Sequence, residues 1–147
     1  MKKSLLLIML AAQCFTIDAK TIVYGDVKLT HLKPTKENTH WVRKKQVSPL
    51  YPVKLAKKGI AGCGIFKVVV NEKGKTDSVE LIQSVPEKVI FRPSKKIIRK
   101  WDWVQTQGGE AKAEEKIIRL DYCLGGNSVE EAEAICLKQS QYNCSAS

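Results

Sequence analysis

Between residues 62 and 124 the apolar positions change period twice. Residues 62–70, GCGIFKVVV, put Phe66, Val68 and Val70 on one face and Cys63, Ile65, Lys67 and Val69 on the other, the two-residue period of a strand. Residues 71–75, NEKGK, carry turn chemistry in Asn71 and Gly74. Over residues 76–84 Val79 and Leu81 alternate with Glu80 and Ile82, which predicts a second strand. Then the spacing changes. Phe91, Ser94, Ile97, Ile98 and Trp101 recur on one helical face and predict a helix over 91–103, with Pro93 in its first turn, where a missing N–H costs nothing. Residues 116–124 return to alternation, Ile118, Leu120, Tyr122 and Leu124 against Ile117, Arg119, Asp121 and Cys123. Ahead of the first strand, residues 53–58 form a short basic amphipathic run closed by Gly59.

The order is thus α-β-β-α-β. A strand, a helix and a returning strand favour a right-handed crossover that leaves the two strands parallel. With the first strand between them and antiparallel to both, the expectation is a two-layer α+β fold: a three-stranded antiparallel sheet in the order second-first-third, with both helices on one face. Phe66, Val68, Leu120 and Tyr122 are then the core. The third strand is left at an edge, where unpaired N–H and C=O groups offer a template for another extended chain.

The flanks are weaker in pattern. Thr21 to Tyr24 and Val27 to Leu29 suggest a strand or hairpin around Gly25-Asp26, residues 31–38 a loop, and residues 40–43 a short extended piece. The tail reads as a helix over 128–137 with Ser128 as N-cap and Glu131 completing a capping box. Its stripe of Val129, Ala132, Ile135 and Cys136 would pack on the open sheet face over Ile65, Val69 and Ile117. The expected divisions are a signal peptide at 1–19, an N-terminal extension at 20–46, the domain at 47–126 and a helical, cysteine-containing tail at 127–147.

Charge and cysteines add a compartment. Met1-Lys2-Lys3 and the apolar run after it have the form of a secretory signal, cleaved after Ala19, with an uncleaved anchor as the rival reading. Four cysteines follow: Cys63, Cys123, Cys136 and Cys144, an even number that in an exported protein implies disulfides. The proposed sheet puts Cys63 near Cys123 and leaves Cys136 to Cys144; if the tail packs on the sheet, pairing across to the tail is the alternative. With no CxxC, the bonds read as structural rather than redox-active. The formal charge of +10 points to acidic partners or anionic surfaces. Arg92, Lys95, Lys96, Arg99 and Lys100, with Lys54, Lys57 and Lys58, lie outside the apolar stripes. No aromatic residues interleave them for base stacking, so nucleic acid is not an expected partner. His31 and His40 stand without an HxxxH or a Cys/His cluster, so neither metal nor cofactor is expected. Nucleophile elbow, phosphate loop and HExxH are missing too, which argues against an enzyme.

Tyr51-Pro52, Ala56, Gly59-Ile60-x-Gly62, Asn71-x-x-Gly74, Ser84, Phe91, Trp101-x-Trp103 and Arg119-Leu120-Asp121-Tyr122-x-Leu124 stand in this order over residues 48–124. This series resembles the C-terminal domain of TonB, the bacterial energy transducer. The resemblance implies a periplasmic interaction domain, linked to TonB-dependent transport, that takes an extended peptide of an outer-membrane receptor or other envelope protein by strand addition. The peptide-binding residues it implies are Ile117, Arg119 and Asp121 on the last strand and Gln46, Val47 and Ser48 before Pro49, with Ser48 where the family often has glutamine. Transducers of the family carry a long proline-rich spacer here, whereas residues 20–46 hold only Pro34. Two further partners follow from the residues: a second copy joined through edge strands, and an anionic membrane surface. The alternative function is accordingly a disulfide-braced basic exported protein binding anionic envelope surfaces.

Overall fold

The computed structural model describes residues 23–145. The signal-peptide reading and Thr21 lie outside them. Nine elements follow in order: β1 (Gly25–Lys33), β2 (Trp41–Arg43), α1 (Val53–Ala56), β3 (Gly62–Val70), β4 (Thr76–Val85), α2 (Phe91–Ile98), β5 (Trp103–Gln105), β6 (Glu114–Leu124) and α3 (Val129–Gln139).

The class is α+β, as the alternation predicts, and β4-β3-β6 is the expected second-first-third order. The sheet nevertheless has four strands, β1-β6-β3-β4, all neighbours antiparallel. Phe66, Val68, Val70, Ile118, Leu120 and Tyr122 form its buried inner face, joined by Val27 of β1. Leu55 of α1 and Ser94 and Ile98 of α2 close that face. Ser94 Oγ donates to the Ile90 carbonyl (2.7 Å) and therefore accepts from the Tyr122 hydroxyl (2.7 Å), so this polar pair within the layer is satisfied.

Short elements end where backbone groups find other partners. Gly59, at φ +61°, closes α1: its N–H donates to the Ala56 carbonyl and that of Ile60 to Leu55, the paired bonds of a Schellman cap. α2 stops at Ile98 rather than Trp103. The Thr76 hydroxyl donates to the Ile98 carbonyl (3.0 Å), and Trp103 instead joins β5, which pairs with β2 in a two-stranded sheet. The β3-β4 turn docks on that small sheet. Asn71 Oδ1 accepts from the N–H groups of Lys73 and Lys75, and the Gly74 carbonyl accepts from Trp103 N–H (2.9 Å). Gly74 has φ +67°, and a Cβ there would stand 2.5 Å from the Trp103 carbonyl oxygen, so only glycine fits.

Residues 25–33 do not form a hairpin. They run as one strand because Val27, Leu29 and His31 register opposite Tyr122, Leu120 and Ile118 and extend the same inner face. The tail helix does pack on the outer sheet face, but over β1 and β6 rather than over Ile65 and Val69. Ser128 Oγ accepts from Glu131 N–H and Glu131 returns a carboxylate oxygen to the Asn127 N–H, a capping arrangement one residue looser than the box expected.

Two disulfides pin that tail, Cys63–Cys144 and Cys123–Cys136. The first-choice pairing of Cys63 with Cys123 is therefore incorrect, and the cross-pairing to the tail is the one found. The reason is register: Cys63 lies opposite Asp121, so Cys123 is only its diagonal neighbour, beyond the usual Cα separation of a disulfide.

Candidate functional site

The segment between β2 and Tyr51 is the part of the chain from which a site can be built. Its backbone is held at both ends. Lys44 N–H donates to the Asp102 carbonyl (2.8 Å), and the Arg43 guanidinium stacks 4.4 Å from the Trp101 ring centre while donating to the Val47 carbonyl (3.1 Å). Gln46 Nε2 donates to the Arg43 carbonyl. Burial lowers the Arg43 pKa, and the ring face and carbonyl replace part of the water it has lost. The side chain of Val47 and the next residue, Ser48, stay exposed, while Pro49 is buried.

A groove lies on each side of this segment. The first, about 650 Å³, has β1 as its wall from Asp26 to Leu29 and at His31. Gln46, Val47, Ser48 and Pro49 line the facing side, and Glu130, Glu133, Ala134 and Leu137 of α3 complete it. The second, about 670 Å³, lies between the same segment and the end of α2, with Ile97, Lys100 and Trp101 facing Lys44, Lys45 and Leu50.

Charge in the first groove is mixed. Lys28, Lys36 and Arg43 supply cations, and Asp26, Glu130 and Glu133 supply carboxylates. His31 Nδ1 is buried with no hydrogen-bond partner among the described residues. Burial, then the nearby cations Lys116, Lys36 and Arg43, lower the His31 pKa, and Glu114 offsets this only in part.

Under this end lies a buried ion pair that the alternation pattern did not single out. Lys116 Nζ is 2.7 Å from a Glu114 carboxylate oxygen, with both side chains buried. Glu114 also accepts from the Thr39 hydroxyl (2.7 Å) and the His40 N–H (2.8 Å), and Thr39 meets Lys116 as well. Burial pushes Glu114 up, but these bonds and the ammonium prevail and hold it below its ordinary value. The pair fixes the loop after β1 to β6, and so fixes where Arg43 and the segment after it begin. The signal that would have found it is Lys116 itself, a charge at an inward position of an alternating strand.

Of the residues expected to bind peptide, Gln46, Val47 and Ser48 line the first groove. Ile117, Arg119 and Asp121 do not line it. β6 is an interior strand: Ile117, Arg119 and Asp121 register with Lys33, Thr30 and Lys28 on one side and with Lys67, Ile65 and Cys63 on the other. Their backbone edge is taken by the chain's own β1, which corrects the expectation of an open edge there. Arg119 and Asp121 are instead a buried pair, Nε to Oδ2 2.9 Å and Nη2 to Oδ1 2.7 Å. Arg119 also donates to the carbonyls of Gln139 and Tyr142, so a cation sits where the α3 carbonyls end.

The profile of the family described as Gram-negative bacterial TonB protein C-terminal matches residues 47–124. The chain belongs to the TonB C-terminal domain family. The match starts after β2 and stops before α3, so β1, β2, α3, Cys136 and Cys144 lie outside the matched residues. Among solved structures, the chain is similar to the solution NMR structure of the Pseudomonas aeruginosa TonB CTD, at 18% identity and a TM-score of 0.40, covering 61% of this chain and 87% of that one. Among curated proteins, none matches the chain. No helix of the described residues is long and apolar enough to cross a membrane, and no group of three or more His, Cys, Asp or Glu among them stands ready for a metal.

Proposed function

We propose that this TonB-type domain works in the periplasm, in TonB-dependent transport, and captures an extended peptide of an outer-membrane receptor or other envelope protein along β1. The observation that carries the reading is that β1 is an outer strand of the sheet and the wall of a groove whose far side is Gln46 to Pro49. Unpaired backbone groups of an edge strand supply regularly spaced hydrogen bonds, and flanking side chains choose the sequence. β4 is the other outer strand, but neither groove runs beside it. β1 thus takes over the role that the family resemblance assigns to the last strand. It adds to that strand and offers its own edge in turn. The charges favour a peptide with an acidic residue toward Lys36 and Arg43 and a basic one toward Glu130 and Glu133.

Amide NMR of the oxidised protein, titrated with receptor-derived periplasmic peptides, tests this. The expected shifts fall on β1, on Gln46 to Ser48 and on the outer turns of α3, with the pairing of β1 to β6 retained. Shifts confined to β4, or loss of β1 protection as peptide replaces it on β6, would overturn the reading.

A further inference from the structure

We infer that the second groove is a docking site for an anionic phospholipid surface. Three observations meet there. Lys44, Lys45 and Lys100 are exposed on its rim and form no ion pair among the described residues. Its one carboxylate, Asp102, is already engaged by Lys75. Val47 and Leu50 stand among these lysines with 68% and 80% of their surface exposed, and together with Ile97 they make an apolar patch rimmed by cations, the arrangement that marks an interaction surface. Ile97 and the edge of Trp101 form the floor beneath them.

Lysines around protruding apolar side chains match a membrane interface: the ammonium groups meet headgroup phosphates while the apolar side chains enter the acyl boundary. An acidic peptide would use the lysines but leaves Leu50 in water. A nucleic acid would want an open aromatic face, and the face of Trp101 is covered by Arg43. The wall is held in place before any lipid arrives, because Lys44 N–H is bonded to the Asp102 carbonyl across the groove. Peptide capture on β1 and lipid docking lie on opposite faces of one short segment, so the domain would present its peptide groove at a membrane surface.

The test is partition of the oxidised protein onto phosphatidylcholine vesicles with and without about a third phosphatidylglycerol, the range in which surface potential acts on juxtamembrane lysines. Binding is expected only with phosphatidylglycerol. Lys100→Gln should weaken it about fivefold, as loss of one lysine near the surface does. Leu50→Asp should weaken it at least tenfold, since it removes apolar contact and adds a like charge to the headgroups. Equal binding to pure phosphatidylcholine, or full binding by Leu50→Asp, would overturn the proposal. So would amide shifts at Lys44, Lys45 and Lys100 produced equally by inorganic phosphate or by an acidic peptide. Leu50 and Lys100 do not line the first groove, so peptide titration of the same variants keeps the two readings separate: loss of lipid with peptide binding intact tells against nothing on β1.

Discussion

The two grooves share Arg43, Val47 and Ser48 and differ in what faces them. Opposite the first stands a strand edge, whose backbone groups recur at a fixed spacing whatever the side chains are. Opposite the second stands the C-terminal end of a short helix, which offers side-chain surface and charge but no backbone ladder. The first is therefore suited to an extended chain and the second to a ligand that needs area and positive charge. The difference also lies in how each wall is held. β1 and α3 are locked by eight registered pairs with β6, a buried ion pair and two disulfides, whereas the Lys44–Leu50 stretch depends on one cation stack and a few backbone bonds.

That contrast can be broken from the first groove's side. Replacing Cys63 and Cys144 by serine opens a loop of 81 residues and should cost about 4.5 kcal/mol in the chain-entropy estimate, read from urea unfolding of the oxidised proteins. Peptide shifts on α3 should weaken in that variant, and lipid partition should not. Asp121→Ala leaves Arg119 buried without its partner and should cost about 3 kcal/mol, with amide exchange rising first over residues 139–144, which Arg119 holds through the carbonyls of Gln139 and Tyr142. Unchanged exchange there would mean that the disulfides alone position the tail.

Smaller effects sharpen the comparison. Ser128→Ala removes the cap of α3 and should cost about 1 kcal/mol by thermal unfolding, while loosening the turn that carries Glu130 and Glu133. A reduced affinity for peptides with a basic residue, and no change for lipid, is the expected outcome. The smallest effect is linked to pH. His31 has a folded pKa below its ordinary 6.5, through burial and then Lys116, Lys36 and Arg43, so just below pH 6.5 the unfolded chain holds a proton that the folded chain lacks. Stability should rise with pH from the folded pKa up to 6.5 and show no His31 contribution to the slope below the folded pKa, where both states hold the proton. His31→Gln should flatten this part of the profile, and an acidic peptide in the groove should narrow the window from below, because favouring the protonated ring raises the folded pKa back toward 6.5. A profile identical in the variant would show that other groups carry it.

Much of the fold was legible in the residues. Strand alternation over 62–70 and 116–124 put Phe66, Val68, Leu120 and Tyr122 in the core, where each is buried. Gln46, Val47 and Ser48 were singled out through the family resemblance, and they line the first groove. Ile117, Arg119 and Asp121 were misplaced because alternation tells which face a side chain takes and says nothing about what pairs with the strand's edge. Trp103 was assigned to a helix for a similar reason: the stripe that ends at Trp101 carries no stop signal before Trp103, whose partner Arg43 in β2 lies sixty residues away.

By itself the sequence determined what depends on near neighbours: the period of each core element, the Gly59 and Ser128 caps, the Asn71–Gly74 turn and the family to which residues 47–124 belong. Tertiary structure alone decided that residues 25–33 lie beside β6, that Cys63 meets Cys144, and that one exposed segment separates two unlike grooves. Those outcomes rest on contacts between residues far apart in the chain. Several arrangements satisfy the same local pattern, and the one adopted is the one in which β1 extends the buried face and the tail brings its carbonyls to Arg119.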